Sequence, residues 1–194
     1  MPVKRSAKVH KFHEGTGDDQ LPTVSMQVVN DGSEMYGIIE IELFMNRVPK
    51  ACEFFLQSYA LPVTGDRRNA KRSSCKACKF VRLTNEILQV GDRSGSRSVP
   101  ICEVEMEIGR VSHAFGFVSL CRSSTSFDES FFFCLTNDRL ELDSLDKRHI
   151  AFGRVVDGLD VIMNLTRALI PHVEEGCVIF GDPYTISEVV PKQK

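Results

Sequence analysis

The chain lacks any apolar run near the roughly 20 residues that a membrane-crossing helix needs, so no membrane partner is expected. It lacks an excess of either charge as well. Lys and Arg number 24 against 26 Asp and Glu, for a formal net charge of −2. A nucleic-acid binder concentrates base on one face, and this balance favours no specific nucleic-acid partner. The opening MPVKRSAKVHKFHEG carries base but no apolar stretch after it, unlike a secretory leader. No internal repeat, phosphate loop, Ser–His–Asp pattern or carboxylate pair stands out, and no cofactor is called for. The 7 cysteines are odd in number and irregularly spaced, with Cys52, Cys102, Cys121 and Cys134 among apolar neighbours. That pattern suits buried free thiols in a reducing compartment better than a disulfide framework. The expected location is intracellular, cytoplasmic or nuclear.

What is present fits one globular domain. The chain has 194 residues, 42% hydrophobic and 26% charged, enough for a single core. Residues 1–21 show neither helical nor strand period and read as a flexible polar tail, which leaves 22–194 as the folded domain. From Thr23, Val24, Met26 and Val28 alternate with polar residues, the period of a half-buried strand. Asn30-Asp31-Gly32 then supplies a turn, and Ile39, Ile41 and Leu43 mark the second strand of a hairpin. Asn46 is expected to cap a helix over about 50–60 that starts near Pro49 and shows an Ala51, Phe54, Phe55 and Tyr59 stripe. Residues 61–77 and 91–97 read as loops. Phe80 and Arg82 are expected on one face of a strand, followed by short apolar strands near 87–88, 115–120, 130–135 and 149–156. A second helix begins after Asp157-Gly158, and strands around 178–190 close the set. Many short strands and two well-separated helices predict a closed antiparallel barrel with a helix over each opening. Closure also removes the sheet edges through which chains aggregate.

Cys75 and Cys78 form a CxxC pair in a basic loop. A zinc site would need a second pair or two suitably spaced histidines, and none follows, so no metal is assigned.

Three ordered segments resemble the cyclophilin family of peptidyl-prolyl cis-trans isomerases. The first is Glu42-Leu43-Phe44 with Val48-Pro49-Lys50 and Glu53-Phe54-Phe55. The second runs from Phe80-Val81-Arg82-Leu83 to Gln89-Val90-Gly91-Asp92. The third runs without a gap from Ser119 to Thr136, then to Leu145-Asp146 and His149-Ile150-Ala151-Phe152-Gly153. The similarity spans about residues 22–190. It implies a mainly β fold, a closed eight-stranded antiparallel cyclophilin-like barrel capped by two α-helices. It also implies a proline-containing peptide or protein segment as partner, held by a monomer or by one member of a larger complex.

The family isomerises X–Pro bonds without nucleophile, metal or cofactor. Rotation sacrifices amide resonance against a barrier of roughly 18–20 kcal/mol. A guanidinium that donates to the deconjugated prolyl nitrogen, over an apolar pocket that holds the ring, lowers it. By resemblance, Arg82 is the catalytic arginine and Gln89 binds substrate backbone. Phe133 is the aromatic floor of the proline pocket, Leu145 a wall and His149 the groove edge. Cys121 and Arg122 fall in the segment that anchors substrate through its main chain. Departures fall in the same place. The Arg82–Asp92 segment is one residue short, so Glu86 or Ile87 replaces a pocket phenylalanine. Phe131 stands for a backbone-binding glutamine, Arg122 for an asparagine and Ser144 for a tryptophan. A lost pocket ring removes about 1–3 kcal/mol of apolar contact, and a lost hydrogen bond about 0.5–1.5 kcal/mol. Weakened isomerase activity is the expectation, and a catalytically silent peptide-binding module the alternative.

Overall fold

In a computed structural model the described residues are 21–31, 34–60, 78–91, 98–181 and 183–192. The tail, the 61–77 loop with Cys75, and most of the 91–97 loop therefore lie outside them. The described residues hold nine strands: β1 (Thr23–Asn30), β2 (Glu34–Leu43), β3 (Cys78–Leu83), β4 (Ile87–Gly91), β5 (Ser98–Pro100), β6 (Phe117–Arg122), β7 (Ser126–Cys134), β8 (Ile150–Asp157) and β9 (Tyr184–Pro191). The sheet runs β4-β3-β9-β1-β2-β8-β6-β7, and a β4–β7 pairing closes it into an eight-stranded barrel. β5 is a short strand added to the outer part of β7. Every pairing is antiparallel. Val178 and Ile179, expected within a strand, contribute only isolated bridges to Arg82 and Val173. Among the described residues, no helix is long and apolar enough to cross a membrane.

Two helices cover the barrel openings. α1 (Pro49–Tyr59) follows the end of β2, and α4 (Leu159–Leu169) follows the end of β8. β2 and β8 are antiparallel neighbours, so those two ends lie at opposite mouths. Ala51, Cys52 and Phe55 of α1 and Ile162, Leu165 and Leu169 of α4 are fully buried in one core with the inner faces of the strands. Phe55 is the hub, 4.6 Å from the Phe152 ring and 5.5 Å, edge-on, from Phe131. Gly158 joins β8 to α4 at φ 79, with its Cα turned against the Ile38 carbonyl. Only a residue without a side chain fits there.

The start of α1 differs from expectation. Asn46 does not cap it; the cap residue is Val48, which makes no side-chain bond, and Pro49 sits at the first helical position. The free N–H groups are met from far along the chain, where Glu107 is only 4% exposed. Its two carboxylate oxygens accept from Lys50 N–H at 3.0 Å and Ala51 N–H at 2.9 Å. The positive end of the helix favours an anion at this position.

Two more helices were not legible in the sequence: the four-residue α2 (Ile101–Val104) and α3 (Arg139–Asp146). Asp138 caps α3, its side chain accepting from Leu140 and Glu141 N–H. At the other end, the Leu145 carbonyl accepts from the N–H groups of Arg148 (3.0 Å) and His149 (2.8 Å). That turn fixes Leu145 and His149 side by side. Cys78, the described half of the CxxC pair, starts β3 and is buried in the core.

Candidate functional site: an arginine row on the outer barrel face

A bulge decides where Arg82 points. Phe80 pairs with Val90 but Arg82 with Gln89, so β3 gains one residue on its partner at Val81. Strict alternation would place Arg82 on the same face as Phe80, as the sequence predicts. The inserted residue turns it outward instead. Phe80 is 2% exposed, whereas Arg82 lies on the exposed surface. Among the described residues no ion pair engages Arg82.

Register extends this position into a row across three further strands. Arg82 faces Gln89, Gln89 faces Phe132, and Phe132 faces Ser119. The neighbouring pairs Leu88–Phe133–Val118 and Val90–Phe131–Leu120 alternate with it, and all six residues are fully buried in the barrel core. Phe131 and Phe133, expected in the groove, therefore fill the interior; Phe132 between them is the outer ring. Three consecutive phenylalanines carry no parity of their own, so the sequence did not reveal which one faces out.

Phe132 belongs to a second cluster on the outer face with Cys121, Cys134 and Leu145, flanked by Ile87 and Leu142. Ile87 thus packs beside this outer cluster. Glu86 does not pair with Arg82; it lines a separate cleft. The Phe132 ring is fully covered, stacked at 6.0 Å on His113 and met edge-on at 5.0 Å by His149. The surface beside Arg82 consequently comprises half-buried Gln89, Ile87 and His149, the rim of Cys121 and exposed Arg122. Burial pushes the Cys121 thiol strongly up; the Asp128 carboxylate adds to this, while the Arg82 guanidinium opposes it. Cys121 therefore acts as a small apolar group, within the field of Arg82.

His149 is held on the Arg122 main chain. Its Nδ1 lies 3.2 Å from the Arg122 N–H, from which it accepts in one neutral tautomer. It lies 3.3 Å from the Leu120 carbonyl, to which it donates in the other. Burial lowers its pKa to about 4, helped by His113, Arg148 and Arg122 and opposed by the Leu120 bond. The ring is neutral at physiological pH.

A triad of buried His113 and Ser119 with half-buried Asp146 underlies the row and was missed in the sequence. His113 Nδ1 sits 2.6 Å from Asp146 Oδ1, which also accepts the His113 backbone N–H at 2.7 Å. His113 Nε2 lies 2.9 Å from Ser119 Oγ. Burial lowers the His113 pKa against the pull of Asp146, so the ring is neutral: Nδ1–H donates to the carboxylate and Nε2 accepts from the serine. Ser119 is fully buried, so no acyl group can reach its oxygen and nucleophilic chemistry is excluded. The triad's effect is positional, since it holds the His113 ring parallel to Phe132.

Comparison with known proteins agrees with this geometry. The family described as cyclophilin-type peptidyl-prolyl cis-trans isomerase matches residues 24–186. Peptidyl-prolyl cis-trans isomerase 11 of Caenorhabditis elegans is 27% identical over 157 residues, covering 77% of this chain and 81% of that protein. The crystal structure of the Mimivirus cyclophilin superposes with a TM-score of 0.63 at 21% identity, covering 92% of each chain. With an eight-stranded barrel, a helix at each mouth and a family match across nearly all of the folded region, the chain belongs to the cyclophilin-type peptidyl-prolyl cis-trans isomerase family.

Proposed function

We propose that this protein is a prolyl isomerase of weakened activity, acting on X–Pro bonds with Arg82 as the catalytic residue. The supporting observation is the outward row Arg82–Gln89, in which the guanidinium is exposed and carries no ion pair among the described residues. A substrate laid along it presents the prolyl nitrogen to the guanidinium and its backbone to Gln89. Donation to the nitrogen favours the twisted amide, in which that nitrogen regains its lone pair. Arg suits the task because it stays charged and directional. Ile87, Leu145 and Cys121 supply apolar contact for the ring, and the Arg122 backbone, steadied by His149, lines the edge.

The second reading, a catalytically silent module that binds a proline-containing segment, draws support from Phe132. With that ring covered and Phe131 and Phe133 turned inward, the described residues leave no aromatic floor open beside Arg82. Less apolar contact means weaker fixation of the ring and a smaller rate gain.

A two-dimensional NMR exchange measurement on a short X–Pro peptide separates the readings. Enzyme function predicts accelerated cis–trans exchange that falls at least about ten-fold in Arg82→Ala. Binding shifts at Gln89 and His149 without accelerated exchange would establish the module and end the catalytic assignment.

A further inference from the structure

A second cleft has a described lining that shares no residue with the Arg82 row. The β3–β4 turn and the flank of α4 enclose an open cleft of about 590 Å³, within the usual 300–1,000 Å³ range of ligand sites. Leu83, Leu135, Met163, Ile170 and Val173 make its apolar walls, and Glu86 is the one charged side chain of the described lining. No base lines it. Exposed Glu174 and Glu175 precede the lining residue Cys177 along the chain.

The two threonine hydroxyls of the lining are turned onto local backbone. Thr84 Oγ1 accepts from the N–H groups of Glu86 and Ile87 at 3.1 Å each. Thr166 Oγ1 donates to the Met163 carbonyl at 2.8 Å. The turn itself is pinned by Thr84 N–H to the Ile87 carbonyl (2.9 Å) and Leu135 N–H to the Glu86 carbonyl (2.7 Å). The walls are therefore preformed, which spares a ligand the entropy of ordering them. Ile170 is 63% exposed at the mouth, an apolar side chain held in water beside an apolar cleft.

We propose that this cleft binds a peptide segment in which a branched apolar residue is followed by lysine or arginine. The apolar side chain packs between Met163 and Val173, and the cation meets Glu86. An open mouth with an apolar rim suits a chain lying across it, and the Glu86 carboxylate, the one charged group of the described lining, selects a basic neighbour. None of the lining residues stands in the Arg82 row, so the inference does not depend on whether that site turns over proline.

Two proline-free probes test it: acetylated, amidated Gly-Leu-Lys-Gly and Gly-Leu-Glu-Gly, titrated into the full chain carrying methyl-labelled methionine. The expected result is a shift of the Met163 methyl, with the lysine peptide binding about three-fold or more tighter than the glutamate peptide. Glu86→Gln should equalise the two, and Arg82→Ala should leave both unchanged. In the unmutated protein, raising salt from about 0.05 to 0.5 M should also close the gap. A Met163 methyl that stays unmoved at millimolar peptide, or equal binding of both peptides at low salt, overturns the proposal. A Met163 shift that follows protein concentration alone would assign the cleft to a second copy and overturn it too.

Discussion

His149 makes folding stability sensitive to mild acid. The half-buried ring lies against Phe132 and the Arg122 backbone, and burial with neighbouring positive groups lowers its pKa to about 4. In the unfolded chain a histidine titrates near 6.5. Between those values the unfolded chain holds a proton that the folded chain refuses. The stabilisation is therefore complete above about pH 6.5 and is lost as pH falls towards 4. Linkage between the two pKa values gives about 2 kcal/mol lost at pH 5 and about 3 kcal/mol once both states are protonated. For a chain of this size, 2 kcal/mol lowers Tm by about 4–8 °C. Carboxylates and His113 titrate as well, so the informative quantity is a difference. Urea unfolding of the wild type and His149→Gln at pH 7.5 and 5.0 should show the variant losing about 2 kcal/mol less across that interval. Equal pH dependence in the two proteins, or a His149 ring that titrates near 6.5 by NMR, would refute the reasoning.

Glu107→Ala leaves the first turn of α1 without its two carboxylate bonds and should destabilise by about 2–4 kcal/mol, with Glu107→Gln about half as damaging; chemical denaturation measures both. Phe132→Ala and Phe133→Ala should each lose about 3–5 kcal/mol of stability. Only the outer-face change should also move the His113 and His149 ring resonances, and equal movement from both would contradict the parity seen here. Gly158→Ala forces a Cβ into the Ile38 carbonyl at a positive φ, and should destabilise by more than about 2 kcal/mol with Arg82-dependent exchange unchanged per folded molecule. Ser119→Ala removes the donor to buried His113 Nε2 and should destabilise by about 1–3 kcal/mol, read by thermal unfolding.

The barrel and its caps were legible because each signal is local. Alternation in β1 and β2, the stripe of α1 and the Asp157-Gly158 boundary before α4 each follow from side-chain period or backbone freedom within a few residues. The ordered segments around Arg82, Gln89 and His149 carried the family in the same way. The sequence could not show which face each residue takes once a strand slips by one. The bulge at Val81 turns Arg82 outward, and the register of β4 on β7 sends Phe132 out and Phe133 in. The triad of His113, Ser119 and Asp146 and the cap that Glu107 places on α1 lie equally beyond local reading. Asp146 lies far along the chain from His113, as Glu107 does from Lys50 and Ala51, and only the tertiary fold brings them within hydrogen-bond distance. Local propensity thus determined the elements, while cross-strand register, a property of paired chains, decided what the outer face presents.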